Sequence, residues 1–204
     1  MIPPNLHFEV DDFTEPWVFR KESFDFIHAR SLYGCVADWP AFYQEVLTYV
    51  GQSFDNIPRI NQNSHLQPGA YFEQVEMSVN PRSDDGTVEP DSIFDQWGRT
   101  SLLLGDQFGK TLRVVDEAKS NMEAAGFINV VEHRWKLPIG GWPAEKRYKE
   151  IGQYNRIHWD QGIEGWSIYL LTTVLHWSVE EVQVYLAKMR TALKDRKIHA
   201  YQEL

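Results

Sequence analysis

Apolar positions fall into short runs early in the chain and into helical stripes later, and the two patterns alternate. Leu6-His-Phe-Glu-Val10 alternates as a strand does; Pro3 and Pro4 bar a helix before it and Asp11-Asp12 ends it. Phe24, Phe26 and Ile27 form a compact apolar run, with Asp25 inside it and His28 and Arg30 at its end. Such a run suits a strand buried on both faces of a parallel sheet. Asp38-Trp-Pro40 opens a helix, and Phe42, Val46 and Tyr49, with Leu47, mark its buried side. Gln67-Pro-Gly69 is a turn, after which Ala70 to Val75 reads as a second sheet strand ending in Glu76.

The second half is mainly helical. A helix is expected from Asp91 towards Phe108-Gly109, although Ile93, Trp97, Leu102 and Leu103 keep a helical period only in part. Thr111 to Ala125 is a further helix, stopped by Gly126 and followed at once by a strand over Phe127–Val131. That helix, glycine, strand order is what a doubly wound sheet requires. Trp135 to Trp142 holds Leu137-Pro-Ile-Gly-Gly141, a bend. Ala144 to Arg156 is a charged amphipathic helix; His158-Trp159 and Glu164-Gly-Trp166 separate it from Ser167–Leu175. Ser178 caps a last helix, with Glu180 and Glu181 in its first turn and Val182, Val184, Leu186, Met189 and Leu193 on its buried side. Lys197 to Tyr201 starts a final strand.

One stretch fits neither pattern. Residues 51–64 are polar, rich in Asn and Gln and without a period. Most crossings between elements are a few residues long, so this segment reads as an insertion or lid, or as an intron retained in the coding sequence.

Composition narrows the classes. At 204 residues the chain suits one domain with a real core, and 43% hydrophobic content with eight Trp indicates thick aromatic packing or an aromatic-lined pocket. A formal charge of -9 argues against nucleic acid or an anionic membrane as partner, since both reward a basic surface. One cysteine permits neither an internal disulfide nor a cysteine zinc cluster. The seven His are scattered without metal-ligand spacing, so no metal site is expected. No signal-peptide pattern opens the chain, and the apolar stretch around Trp166 to Trp177 is too short and interrupted to span a bilayer. An intracellular protein follows, with cytoplasm and nucleus both open.

Specific stretches carry a resemblance. Phe8-Glu-Val-Asp-Asp12, Glu22 to Ser31 and Leu66 to Glu76 together resemble the second half of a class I S-adenosylmethionine-dependent methyltransferase. More narrowly, the chain is similar to fungal methyltransferases related to the velvet-complex regulator of secondary metabolism. The likeness continues through Asn80-Pro-Arg-Ser-Asp-Asp-Gly86, Leu137-Pro-Ile-Gly-Gly-Trp-Pro143 and Lys197-Ile-His-Ala-Tyr201. It implies a Rossmann-like α/β sheet with helices on both faces and S-adenosyl-L-methionine as cofactor. Ligands in such sheets lie beyond the carboxyl ends of the strands, which places His28, Ala29 and Arg30 beside the cofactor. The resemblance gives Asp11 and Asp12 to the adenine amine; a turn or helix cap is the other use of an Asp pair. It makes Trp97 and Trp166 candidate walls of the acceptor pocket and His28 the candidate base, with no spacing argument favouring His28 over His158.

The same resemblance exposes a departure. Methyltransferases of this class hold the cofactor with a glycine-rich turn after the first strand and an acidic residue ending the second. Neither pattern occurs upstream of Asp11, so residues 1–204 read as a single partial domain whose sheet lacks its first two strands. Two functions follow: methyl transfer to a small-molecule or protein acceptor, or a catalytically inactive remnant that serves as a regulatory protein-binding module. An unpaired sheet edge would favour self-association.

Overall fold

The computed structural model describes residues 3, 5–21, 23–49 and 70–204. The expected insertion or lid at 51–64 lies outside them. The described residues form a mixed α/β structure of five helices and two short sheets.

β1 (Phe26–Arg30) and β2 (Tyr71–Val75) pair in parallel, with Phe26 opposite Tyr71 and Arg30 opposite Val75. Between them in sequence, α1 (Trp39–Tyr49) starts where the Asp38-Trp-Pro pattern placed it, and Asp38 Oδ1 accepts from Ala41 N at 2.8 Å. Phe72 on β2 packs on Tyr43 of α1 and on Phe127, with ring centroids 6.2 and 5.5 Å apart. Ala29 and Val114 close the same cluster. This covers only one face of β1–β2. The other carries Phe26, 53% exposed, and Tyr71, 73% exposed, together with His28, Arg30 and Glu73. The expectation that β1 is buried on both faces is therefore corrected: α1 and α3 (Val114–Ala125) lie on one side, and among the described residues nothing covers the other.

The second sheet pairs β3 (Lys136–Pro138) with β4 (Tyr201–Glu203) in antiparallel fashion. The chain leaving β2 lies against β4: Ser78 N donates to Glu203 O, and Arg82 and Tyr201 exchange both backbone hydrogen bonds, each at 2.8 Å. Backbone pairing thus runs from β1 through β2 and residues 78–82 to β4 and β3.

Two expected strands do not form. Residues 6–10 have no strand partner among the described residues, and Phe8 is 76% exposed, so alternation alone leaves an extended segment. At Phe127–Val131, Asn129 adopts φ 52°, which breaks an extended run. Phe127 instead plugs the space beside Phe72.

The helices gain one correction. α2 (Ile93–Phe108) is capped by Ser92 and ends at Gly109, whose φ of 77° is left-handed. The two segments expected over Ala144–Arg156 and Ser167–Leu175 are one helix, α4 (Lys146–Thr173). Gly152, Asn155, Trp159, Ile163, Ser167 and Leu171 recur every three or four positions and keep one buried stripe through the supposed break. α5 (Val179–Ala192) has the capping box expected at Ser178, closed by Glu181. Val182, Leu186, Met189 and Leu193 are buried as expected, while Val184 is exposed.

Candidate functional site

At the end of β1 the pleat turns His28 outward and Ala29 inward, and Arg30 is exposed. His28 Nδ1 lies 2.8 Å from Glu73 Oε2 on the open face. Ser31 leaves the strand at φ 56°, donating its N–H to Val75 O. Glu76, buried at the end of β2, accepts from Leu32 N at 3.0 Å, Tyr33 N at 3.2 Å and Gln74 Nε2 at 3.2 Å. Burial raises its carboxyl above the usual range, partly offset by those hydrogen bonds. Its evident work is to draw the loop after β1 back over the strand ends.

Asp11 and Asp12 form a self-contained turn. Asp12 N donates to Asp11 Oδ1, and Thr14 gives both its N–H and its hydroxyl to Asp12 Oδ1. The Thr14 hydroxyl is the main reason the Asp12 carboxyl sits below its ordinary value. Phe13 and Trp17 then anchor the segment on Phe42 of α1. Asp11, Asp12, His28 and Arg30 are all exposed, and Asp11, Asp12 and His28 each have a polar atom engaged within the protein. Among the described residues they form an exposed flank and do not enclose a nucleoside.

Trp97 and Trp166 meet on the ring of Trp159, at centroid distances of 5.3 and 5.9 Å. Trp97 is buried and stacked on Tyr185, inside the helical core. Trp166 is 43% exposed and also touches His158, at 4.8 Å.

A denser group of chemistry-bearing side chains lies elsewhere. The 78–82 backbone runs antiparallel to β4, which brings Asp84-Asp85 beside His199 and Tyr201, and the bend after β3 adds Trp142. These five residues line a recess of about 210 Å³. Asp85 Oδ2 is 2.6 Å from His199 Nδ1, while Asp85 Oδ1 accepts from the Thr87 hydroxyl and N–H. Thr87 Oγ1 in turn accepts from His199 N at 2.9 Å. Asp84 accepts from Tyr201 OH at 2.9 Å and from Lys136 Nζ at 2.6 and 2.7 Å, and Lys136 lies over the Tyr201 ring. Trp142 stacks on the His199 ring at 5.1 Å and donates its indole N–H to Ala200 O. Both carboxyls are held below the ordinary range, Asp84 chiefly by Lys136 and Asp85 chiefly by Thr87. Sequence reasoning missed this group because it read 135–142 as a bend and drew nothing from 80–86 beyond the resemblance. The available signal was that three stretches carrying the resemblance, 80–86, 137–143 and 197–201, all hold residues of the recess.

Comparison with known proteins defines a class: over nearly its whole length the chain is similar to fungal proteins named as methyltransferases and as secondary-metabolism regulators. It is 33% identical to methyltransferase pytC of Aspergillus terreus over 199 residues, 97% of this chain and 56% of that protein. It is 32% identical over 206 residues to the secondary metabolism regulator LAE1 of Cochliobolus heterostrophus, covering 100% of this chain and 62% of that one. The protein-methionine methyltransferase laeA of Emericella nidulans matches at 25% over 203 residues, 99% of this chain and 50% of that one. The chain spans about half the length of the curated relatives it matches. These relatives bear out the resemblance drawn from the sequence. No protein-family model matches the chain, and no solved structure does. Among the described residues, no helix is long and apolar enough to cross a membrane, and no group of His, Cys, Asp and Glu could hold a metal ion.

Proposed function

We propose that this chain is part of an S-adenosylmethionine-dependent methyltransferase of fungal secondary metabolism, with a small-molecule or protein methyl acceptor. The observation that carries this is 33% identity to a fungal methyltransferase along 97% of the chain. The parallel β1–β2 pair with α1 between the strands supports a Rossmann-like sheet. S-adenosylmethionine, when bound, supplies a methyl group made electrophilic by its sulfonium, and the protein's share is chiefly to position donor and acceptor. On this reading His28, Ala29, Arg30, Asp11 and Asp12 flank the donor.

A second reading, a regulatory protein-binding module without catalysis, draws on one observation. The residues assigned to the cofactor are exposed and do not enclose a nucleoside. The uncovered edge and face of β1 would then mediate contacts, including self-association. Calorimetric titration of the chain with S-adenosylmethionine, and then with its demethylated product, separates the two. Micromolar binding is the result expected of the methyltransferase. No heat from a folded, monodisperse sample would overturn it in favour of the binding module.

A further inference from the structure

We infer that the recess between Asp84-Asp85, Trp142 and His199-Ala-Tyr201 is a binding site for an aromatic hydroxyl compound, whose O–H donates to Nε2 of His199. The inference stands without methyl transfer. Under the methyltransferase reading, the same contact would hold the acceptor's hydroxyl.

Hydrogen-bond accounting leads to this ligand. Asp84 is occupied by Lys136 and Tyr201, and Asp85 by Thr87 and His199 Nδ1. The Trp142 indole N–H is spent on Ala200 O. Among the described residues, Nε2 of His199 has no partner, and the side chain is 41% exposed, so a ligand in the recess can reach it. Asp85 fixes which ring nitrogen carries the proton. With Nδ1–H donated to the carboxylate, Nε2 of the neutral ring is an acceptor. A ligand group that brings a proton completes the pairing of the ring in that form. A carboxylate or phosphate brings none and would also face Asp84 and Asp85.

The ring is set in place as a catalytic or binding imidazole is, held by more than one neighbour. Asp85 grips Nδ1, Thr87 accepts from the His199 backbone, and Trp142 covers one face at 5.1 Å with the planes 27° apart. Two separate segments supply these contacts, so the imidazole is oriented before any ligand arrives. The lining is otherwise aromatic, from Trp142 and Tyr201, which suits a flat ring. At about 210 Å³ the recess falls below the ~300 Å³ at which sites for drug-sized ligands begin. It has room for one ring system.

The test uses the nitrogen-labelled chain, naphthol and naphthol's methyl ether as probes, and no S-adenosylmethionine. Naphthol should shift the His199 imidazole and Trp142 indole resonances saturably, and the ether should bind about tenfold more weakly because it cannot donate. In His199→Asn the amide still reaches Asp85 but nothing occupies the Nε2 position, so the preference for naphthol should vanish. His199→Gln, which returns an acceptor near Nε2, should recover part of it. Equal affinity for naphthol and its ether would overturn the inference, as would saturation that leaves His199 and Trp142 unmoved. Should His199→Asn fail to fold, the naphthol-against-ether comparison on the unaltered chain decides alone. Because the cofactor is absent, failure here leaves the methyltransferase reading standing, and failure of cofactor binding leaves this site standing.

Discussion

The two halves of this molecule solve the burial problem differently. Around Trp159, helices α2, α4 and α5 enclose an apolar core that also holds a buried polar pairing: Gln202 Oε1 accepts from Trp159 Nε1 at 2.7 Å and from Asn155 at 3.2 Å. Around Phe72, α1 and α3 cover one face of a two-stranded sheet and leave Phe26 and Tyr71 in water. The residues that the β1 pattern made prominent, His28 and Arg30, stand on that open face. The recess at His199 is instead built where β4 is paired on both sides, by β3 and by residues 78–82. A functional geometry needs a rigid support, and here the support lies away from the stretch with the strongest strand signal.

The contrast can be broken by substitution, starting with the largest effect. Trp159→Ala opens a cavity in the enclosed core and strands Gln202, and it should cost about 3–5 kcal/mol in urea denaturation. A loss near that of a surface change would mean the core is not the main source of stability. Gly152→Ala should cost about 1–3 kcal/mol, because the added Cβ collides with the Gly140 carbonyl where α4 crosses the bend after β3. An unchanged denaturation midpoint would show that this contact is loose.

Glu76→Gln addresses the other half through pH. Burial raises the folded-state carboxyl value, so the folded state keeps its proton to higher pH than the unfolded chain. Glu76 therefore contributes most below its unfolded value of about 4.3. That contribution is lost as pH rises through the raised folded value. Relative to the parent, Glu76→Gln should gain stability as pH rises above about 4 and through the raised folded value; parallel stability profiles would contradict this. The smallest effect is expected at Phe26→Thr, within about 0.5 kcal/mol, since the ring is already half in water. A large loss there would mean that the open face is covered in solution.

Much of the fold was legible because its signals are local. Asp38-Trp-Pro40, the Ser178 capping box, and Gly109 and Gly126 at helix ends each act within one turn of helix. The errors come from effects that are not local. Leu6–Val10 alternates correctly but finds no strand to pair with among the described residues, and Val184 fits a helical stripe yet faces solvent. His158-Trp159 and Glu164-Gly-Trp166 look like interruptions until the buried stripe from Gly152 to Leu171 is seen to pass through them. The recess was illegible for the same reason. Asp85 and His199 are 114 residues apart in sequence, and only the antiparallel pairing of residue 82 with residue 201 brings them together.

Amide hydrogen exchange tests the central contrast most directly. Protection follows the free energy of local opening, which is greatest where backbone hydrogen bonds lie among packed elements. The amides of Arg82, Ile139, Tyr201 and Leu204, which tie the recess together, should be among the slowest to exchange. Those of Ser31 and Tyr71, at the open pair of strands, should exchange at least about tenfold faster. Equal protection in both regions, or slower exchange at β1–β2, would contradict the account.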